Sequence, residues 1–564
     1  MNIKKLAEKF ALENAVHYNG KANLGSIIAK ILGECPELKS TIKEVTKDVS
    51  IVVAQVNKLT QEMQLHKLKE IAPELLCKKE GQKKDALKPL PNVKDTVVMR
   101  FAPSPSGPLH IGHAFGLVPN AEYAKIYHGV CILRIEDTNP ENVELDAYNM
   151  IEEDAQWLTG NGIQKIIVQS DRMESYYHVA LVLIEEGHAY VCTCPADEFK
   201  KLTEDGTPCL CRGKSSKQNL IGWHKMHTGE YVEGSAVIRL KTDIAHKNPA
   251  MRDFAILRIN ESEHPRQAKK YRVWPLMNFS VAVDDYEMGL THVLRGKDHF
   301  DNTKRQKYIF DYMKWAPPEY VHYGRVNFAG LHLSTTQTKA AIKEGRYEGW
   351  SDVRIPFLGA LRRRGYQAEA IRRFVIGMGI SLTDKTVDAH ELFKALNYHN
   401  KQLVEPLADR YFFVENPIEI EIVQAPPITS EFDLHPTLRK GGRQLNATGR
   451  FLLQKQDLEP LSHGQIYRLM ECINFIAESY GYRFHSKDVE TYRKIGGRIM
   501  HWLPVSDENL DIEVIMDDGT IKKGKGESGI KSVQSGAIVQ FERHFFARYE
   551  GKEENTHRFV YLHK

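Results

Sequence analysis

The chain has 564 residues, 42% of them hydrophobic and 27% charged, an ordinary globular balance that excludes both a single small module and a disordered chain. Lysine and arginine total 77 against 73 acidic residues, a net charge of +4, so a polyanionic partner has to be met by local basic patches. No run approaches the roughly 20 apolar residues needed to cross a bilayer, and the start MNIKKLAEKFALENAV lacks the apolar core of a secretion signal, which makes a cytoplasmic protein without a membrane partner the expectation.

Between Lys4 and Leu76, apolar residues such as Leu24, Ile27, Ile28, Ile31 and Leu32 recur at threes and fours, the period of amphipathic helices. Residues 1–77 are therefore read as an N-terminal helical region. The charged, proline-containing stretch 78–95 reads as a linker. Thr96–Ala102 is a β-branched run that ends in the turn PSPSGPLH, followed by a helical stretch and a second apolar run, Val130–Thr138. Strand, turn, helix and strand open a parallel sheet, placed in an α/β domain whose first half is 96–190. Residues 191–268, with four clustered cysteines and short polar strands such as Gly234–Asp243, read as an insertion. Alternation resumes over 269–348, where Val273–His299 carries two apolar runs that can complete the sheet. Residues 349–410 are helical and basic, with Arg362, Arg363, Arg364, Arg372 and Arg373. The region 411–564 breaks into short apolar runs such as YFFV, IEIEIV, DIEVIM and RFVYLH, an all-β pattern expected to form barrels.

The strongest chemical signal is Phe101–Ala114, FAPSPSGPLHIGHA, between a predicted strand and a predicted helix. A helix N-terminus offers free N–H groups and the positive end of its dipole, and Gly107 and Gly112 let a nucleotide approach the backbone. His110 and His113 can donate hydrogen bonds to phosphoryl oxygens as charge develops on them.

This run resembles the ATP-binding signature of class I aminoacyl-tRNA synthetases. Its flanks are similar to the glutamyl and glutaminyl branch, particularly archaeal glutamyl-tRNA synthetases, as are LRIEDTNPE (133–141), YVCTCP (190–195), THVLRGKDH (291–299) and GALRRRGY (359–366). The resemblance runs from about Ala11 to the C-terminus. It implies a Rossmann-type catalytic domain with an inserted acceptor-binding domain, a helical connector, and C-terminal anticodon-binding barrels. It also implies ATP with Mg²⁺, an aminoacyl-adenylate intermediate, and transfer of glutamate to the 3′ end of tRNA(Glu), with charging of tRNA(Gln) left open. Pro105, Gly107, His110, Gly112, His113, Leu333 and Ser334 are then the ATP-binding positions, and Ala102 and Ser104 contact the amino acid.

A glutamate side chain needs a desolvated cation, and arginine offers a planar fork matched to a carboxylate. By resemblance Arg100 and Arg295 face the γ-carboxylate and Glu136 the ammonium; the glutaminyl branch is uncharged at the place of Arg295, so Arg295 tips the reading to glutamate. The tyrosine and asparagine of bacterial relatives are replaced by Met277 and Val281. The second signature loop departs from the archaeal Leu-Ser-Thr-Ser-Lys pattern: Leu333–Lys339 reads LSTTQTK, with Gln337 where the lysine belongs and Lys339 two residues on. A neutral amide cannot neutralise charge on the leaving pyrophosphate, so activation is expected to be slow unless Lys339 substitutes. Pro119 interrupts the helix after the first signature. Cys192, Cys194, Cys209 and Cys211 form two Cys-x-Cys pairs, a four-thiolate set suited to structural Zn²⁺, with reduced thiols as the alternative. The expected tRNA surfaces are the basic connector and Leu438–Arg450. Rival readings are a glutaminyl relative and a non-catalytic tRNA-binding paralogue.

Overall fold

The computed structural model describes residues 3–17, 20–34, 42–72 and 87–564. They fall into two compact units, 1–86 and 87–564. In the first, helices α1 (Ile3–His17), α2 (Leu24–Glu34), α3 (Ile42–Val56) and α4 (Gln61–Ile71) bury one core. Phe10, Ile27, Ile31, Val49 and Leu68 lie in it, as their helical spacing requires. The expected linker lies outside the described residues up to 86. Its remainder is anchored: Leu87 and Leu90 pack with Val97, Met99 and Tyr123, and the Tyr127 hydroxyl accepts from Leu90 N at 3.0 Å.

The second unit opens with β1 (Val98–Phe101), α5 (Ala114–Ile126), β2 (Val130–Ile135), α6 (Ala147–Thr159), β3 (Lys165–Val168) and α7 (Met173–Glu185). β1, β2 and β3 pair in parallel. There follows an antiparallel sheet of β4 (Ala189–Cys192), β5 (Val237–Leu240), β6 (Phe254–Ile259) and β7 (Val273–Pro275), with α8 (Ala196–Glu204) and α9 (Ser216–Thr228) between β4 and β5. The chain then returns through α10 (Met277–Glu287) to β8 (His292–Gly296), α11 (Phe300–Tyr312) and β9 (Glu319–Tyr323). β8 and β9 are parallel. Thr291 N donates to Val98 O at 3.1 Å, which brings β8 against the free edge of β1. The strand order is thus β3-β2-β1-β8-β9, and the ends of β1 and β8 flank the point where the order reverses, the usual ligand crevice of such sheets.

One expected strand is a helix. Of the two apolar runs within Val273–His299 expected to complete the sheet, the first is strand only over Val273–Pro275, and its continuation NFSVAV lies in α10, which carries Asp284 and Asp285, whose carboxylates bind arginines on the sheet beneath. Pro119 does stand inside α5, where it has no N–H to give to the Phe115 carbonyl one turn back; beside it the Asn120 side-chain amide donates to Gly116 O at 2.7 Å.

β10 (Val326–Ala329) leads into α12 (Thr335–Lys343), then α13 (Leu358–Arg364), α14 (Ala368–Met378), β11 (Lys385–Asp388) and α15 (Ala389–Val404). Beyond them two seven-stranded sheets form. The outer edges of one are Asp409–Tyr411 and Phe413–Glu415, and those of the other are Gly496–Met500 and Leu503–Pro504. Each pair of edges comes from one nearly continuous stretch, so each sheet curls closed into a barrel. The barrel spanning 417–504 is inserted into the other, which begins at Asp409 and ends at His563. Its core, built around Ile422, Phe451, Phe475 and Trp502, also takes in Phe412 and Val414 from the edge stretch of the other barrel. The last barrel places Phe546 and Leu562 in the core that holds Leu109, Ile111, Leu358 and Leu361, so it does not fold around a wholly separate core.

Candidate active site

The turn after β1 runs over the C-terminal end of the sheet into a short 3₁₀ segment, Ile111–His113, and α5. His110 N donates to His113 Nδ1 at 3.1 Å, and Gly112 N donates to His110 Nδ1 at 3.1 Å. The two imidazoles stack with centroids 3.8 Å apart. Burial pulls His110 down to about 4, and burial with the neighbouring ring pulls His113 down to about 3. Both rings are therefore neutral at pH 7, and since each Nδ1 accepts, each carries its hydrogen on Nε2. They present neutral N–H donors. Gly107 has φ +156°, and a Cβ there would lie 2.3 Å from Thr335 Cγ2 and 3.3 Å from the Trp350 ring. Gly107 is thus the seat of the second signature segment.

That segment is the start of a helix, not a loop. Ser334 caps α12 by accepting from Gln337 N at 3.3 Å. Gln337 is exposed, whereas Lys339 is partly buried and ion-paired with Glu144. Glu144 N in turn donates to Pro105 O at 2.8 Å. Lys339, rather than Gln337, is therefore tied to the first signature turn. Leu333 lies 3.4 Å from where a Cβ on Gly112 would stand, and Ser104 is exposed with Ala102 half-buried beside it.

The two candidate glutamate arginines differ. Arg100, at the end of β1, is held by both oxygens of Asp285, at 2.6 and 3.0 Å. Arg295, on β8, is 8% exposed and donates through Nη1 to Gln306 Oε1 at 2.8 Å and Thr303 Oγ1 at 3.3 Å. Among the described residues it has no carboxylate at ion-pair distance, and its Nε has no partner. Burial first, and then the Arg100 cation, lower its pKa to about 10. Tyr320, on the neighbouring strand, has a buried hydroxyl without a partner, and its ring centroid is 5.9 Å from the Arg295 guanidinium. Burial and Asp285 push this phenol up.

Glu136 is ion-paired with Arg134, whose Nε donates to Asp284 Oδ2 at 2.7 Å. Asp284 also accepts from Tyr176 at 2.7 Å and from Arg172 at 2.7 Å. The adjacent acids of α10 thus neutralise Arg100 and Arg134 but leave Arg295 unpaired. The sequence reading missed Asp284, Asp285, Glu144 and Tyr320. Only the acid pair had a visible signal, two carboxylates inside an apolar helical run.

Cys192 Sγ lies 3.9 Å from Cys209 Sγ and Cys194 Sγ 3.8 Å from Cys211 Sγ, with all four sulfurs within 4.8 Å of one another. Arg239 stacks on Phe199 at 3.4 Å beside this cluster, and its buried Nε has no partner.

The expected tRNA surfaces are largely internally paired. Arg443 is buried against Glu527 and Glu542, and Arg439, Lys440 and Arg450 bind Asp409, Asp433 and Glu419. In the connector Arg363 bridges to Glu550, and Arg364 is buried, with Nη2 3.1 Å from Leu562 O. These arginines join elements of the fold, which sequence alone cannot separate from a phosphate-binding face.

Residues 96–405 match the family model for the catalytic domain of class I (E and Q) tRNA synthetases, and residues 408–492 match the anticodon-binding domain of the same family. The chain is 43% identical to the glutamate--tRNA ligase of Methanopyrus kandleri, over 100% of this chain and 99% of that protein. It is 44% identical to the glutamate--tRNA ligase of Pyrococcus furiosus, over the whole of both. The crystal structure of a glutamate tRNA ligase from Elizabethkingia meningosepticum in complex with its amino acid is similar with a TM-score of 0.40 and 19% identity, over 56% of this chain and 71% of that one.

Proposed function

The chain belongs to the class I tRNA synthetases of the glutamate and glutamine branch, and we propose that it is a glutamate–tRNA ligase whose amino-acid specificity rests on Arg295. It uses ATP, taken up with Mg²⁺, to make glutamyl-adenylate, and transfers glutamate to tRNA(Glu). The observation that carries the choice of amino acid is the buried guanidinium of Arg295 without a carboxylate partner. A charge kept out of water with only neutral partners is costly, and the γ-carboxylate of glutamate supplies the missing anion. Glutamine leaves it unpaired. The Tyr320 hydroxyl is a second donor at the same pocket, and Arg100, neutralised by Asp285, forms its wall. Glu136, oriented by Arg134, receives the substrate ammonium.

In the first step a glutamate α-carboxylate oxygen attacks the α-phosphorus of ATP, and the bond to pyrophosphate breaks. His110 and His113 donate from Nε2 to phosphoryl oxygens, and Lys339, once it leaves Glu144, neutralises charge on the departing pyrophosphate. In the second step the terminal ribose hydroxyl of tRNA attacks the adenylate carbonyl and AMP leaves. No side chain needs to form a covalent intermediate; orientation and charge stabilisation suffice.

The four cysteines suit a structural Zn²⁺. Tetrahedral Zn–S bonds of about 2.3 Å put the sulfurs roughly 3.8 Å apart, which fits the separations of 3.8 and 3.9 Å, and the unpartnered Arg239 Nε beside the cluster suits the excess negative charge of four thiolates around a divalent ion. The ion would hold the acceptor-binding insertion together and leave no open coordination position. Exchange of labelled pyrophosphate into ATP, with tRNA and either glutamate or glutamine, tests the assignment: glutamate supports exchange, and preferential exchange with glutamine refutes it.

A further inference from the structure

Asp154 is a carboxylate in the wrong surroundings. It sits on α6, 2% exposed, among the apolar side chains of Ile151, Ala155, Leu158 and Leu361 that belong to the catalytic core. Burial raises its pKa to about 7 despite Arg362 on the facing helix, with the like charge of Glu153 beside it adding to the rise, and Arg362 is itself paired with Glu153. A residue so placed costs stability where an apolar side chain of the same shape would not. Asp154 Oδ2 does one identifiable thing: it accepts a hydrogen bond from Leu109 N at 3.2 Å.

Leu109 is the residue before His110. The backbone on either side of that histidine is pinned at three points: Leu358 N donates to Leu109 O at 2.9 Å, Ile111 N donates to Pro356 O at 3.0 Å, and Leu109 N meets Asp154. The first two anchors come from Pro356 and from Leu358, the first residue of α13, and Asp154 holds the turn from α6. Without it a buried N–H is left unsatisfied at the end of the first signature turn.

We propose that Asp154 is a positioning residue for the adenylation step, holding the Pro108–Leu109 peptide, one peptide ahead of His110, so that the imidazole Nε2–H lies where phosphoryl charge develops. The proposal rests on the reading of His110 as a phosphoryl donor. Both protonation states of the carboxyl offer an oxygen lone pair to Leu109 N, so an amide does the same; the required property is an acceptor at this point, not a charge. Because a misplacement of about 1 Å can cost roughly 100-fold in rate, loss of the anchor should be read in kcat.

The test compares Asp154→Asn, which keeps an acceptor, with Asp154→Leu, which keeps the branched shape and removes it, in the full chain with tRNA present. Single-turnover adenylate formation and thermal melts are followed, with His110→Ala as a reference. The expected result is a Leu variant at least as heat-stable as wild type, with kcat down about 10- to 100-fold and KM for glutamate unchanged, since Arg295 lies elsewhere. The Asn variant should remain within about threefold of wild type, on the ground that its acceptor is retained. The proposal is overturned if the Leu variant keeps wild-type kcat, or if both variants lose activity in proportion to lost stability. A His110→Ala variant with unimpaired adenylation would instead remove the reading of His110 on which the proposal stands.

Discussion

Replacing Arg295 by methionine removes the charge and keeps most of the stem, and the structure assigns opposite signs to its effects on folding and on function. Burial and the Arg100 cation pull the guanidinium down from its ordinary value to about 10. At about 1.4 kcal/mol per pH unit, a shift of that size means the protein holds this cation at a cost of roughly 3 kcal/mol. Methionine relieves that cost but deprives Gln306 Oε1 of its donor, a loss of about 1 kcal/mol, so the melting temperature should rise or stay level. With glutamate bound the balance inverts. The γ-carboxylate would be buried without a cation, which costs about 3 to 5 kcal/mol, or roughly 150- to 4500-fold in kcat/KM. Glutamine, which carries no charge, should be affected far less, so discrimination between the two amino acids should shrink by most of that factor. Steady-state aminoacylation with each amino acid, alongside a thermal melt, measures both halves. A glutamate loss below tenfold, or equal losses for glutamate and glutamine accompanied by a lower melting temperature, would show that Arg295 is a structural residue outside the pocket.

Protein purified without chelator should carry about one zinc per chain, and Cys209→Ser should lose it; metal analysis that finds none would leave the cluster as four reduced thiols. Lys339→Ala should slow adenylate formation by about 100- to 1000-fold, while Gln337→Lys, at an exposed position, should change it little; the opposite ranking in single-turnover assays would return the role to position 337. Truncation after Arg410 removes Phe546 and Leu562 from the catalytic core and should cost several kcal/mol, seen as a lowered melting temperature. Replacing only 417–504 by a short linker should spare glutamate activation and abolish discrimination among anticodon variants, and unchanged discrimination would take that barrel out of recognition.

Local pattern in the chain carried the architecture a long way. The βαβ opening, the cysteine-rich insertion, the helical connector and the all-β tail all follow from hydrophobic period and turn residues, which are properties of neighbours in sequence. The first signature was legible for the same reason, since its prolines, glycines and histidines act within one turn. The α10 run failed because a short apolar stretch fits strand and helix equally well until something outside it decides. Here the deciding contacts are Asp285 with Arg100, 185 residues away, and Asp284 with Arg134, 150 residues away. Sequence set Arg100 and Arg295 together before the γ-carboxylate and singled out Arg295 only by resemblance; the fold pairs the first with an acid and buries the second without one among the described residues. Likewise Lys339 gains its place at the first signature turn through Glu144, 195 residues distant, and basic patches that read as tRNA surfaces turn out to join barrels and connector. Charge, unlike hydrophobic period, has no local signature of its partner, because an ion pair is decided by which segments the folded chain brings within about 4 Å.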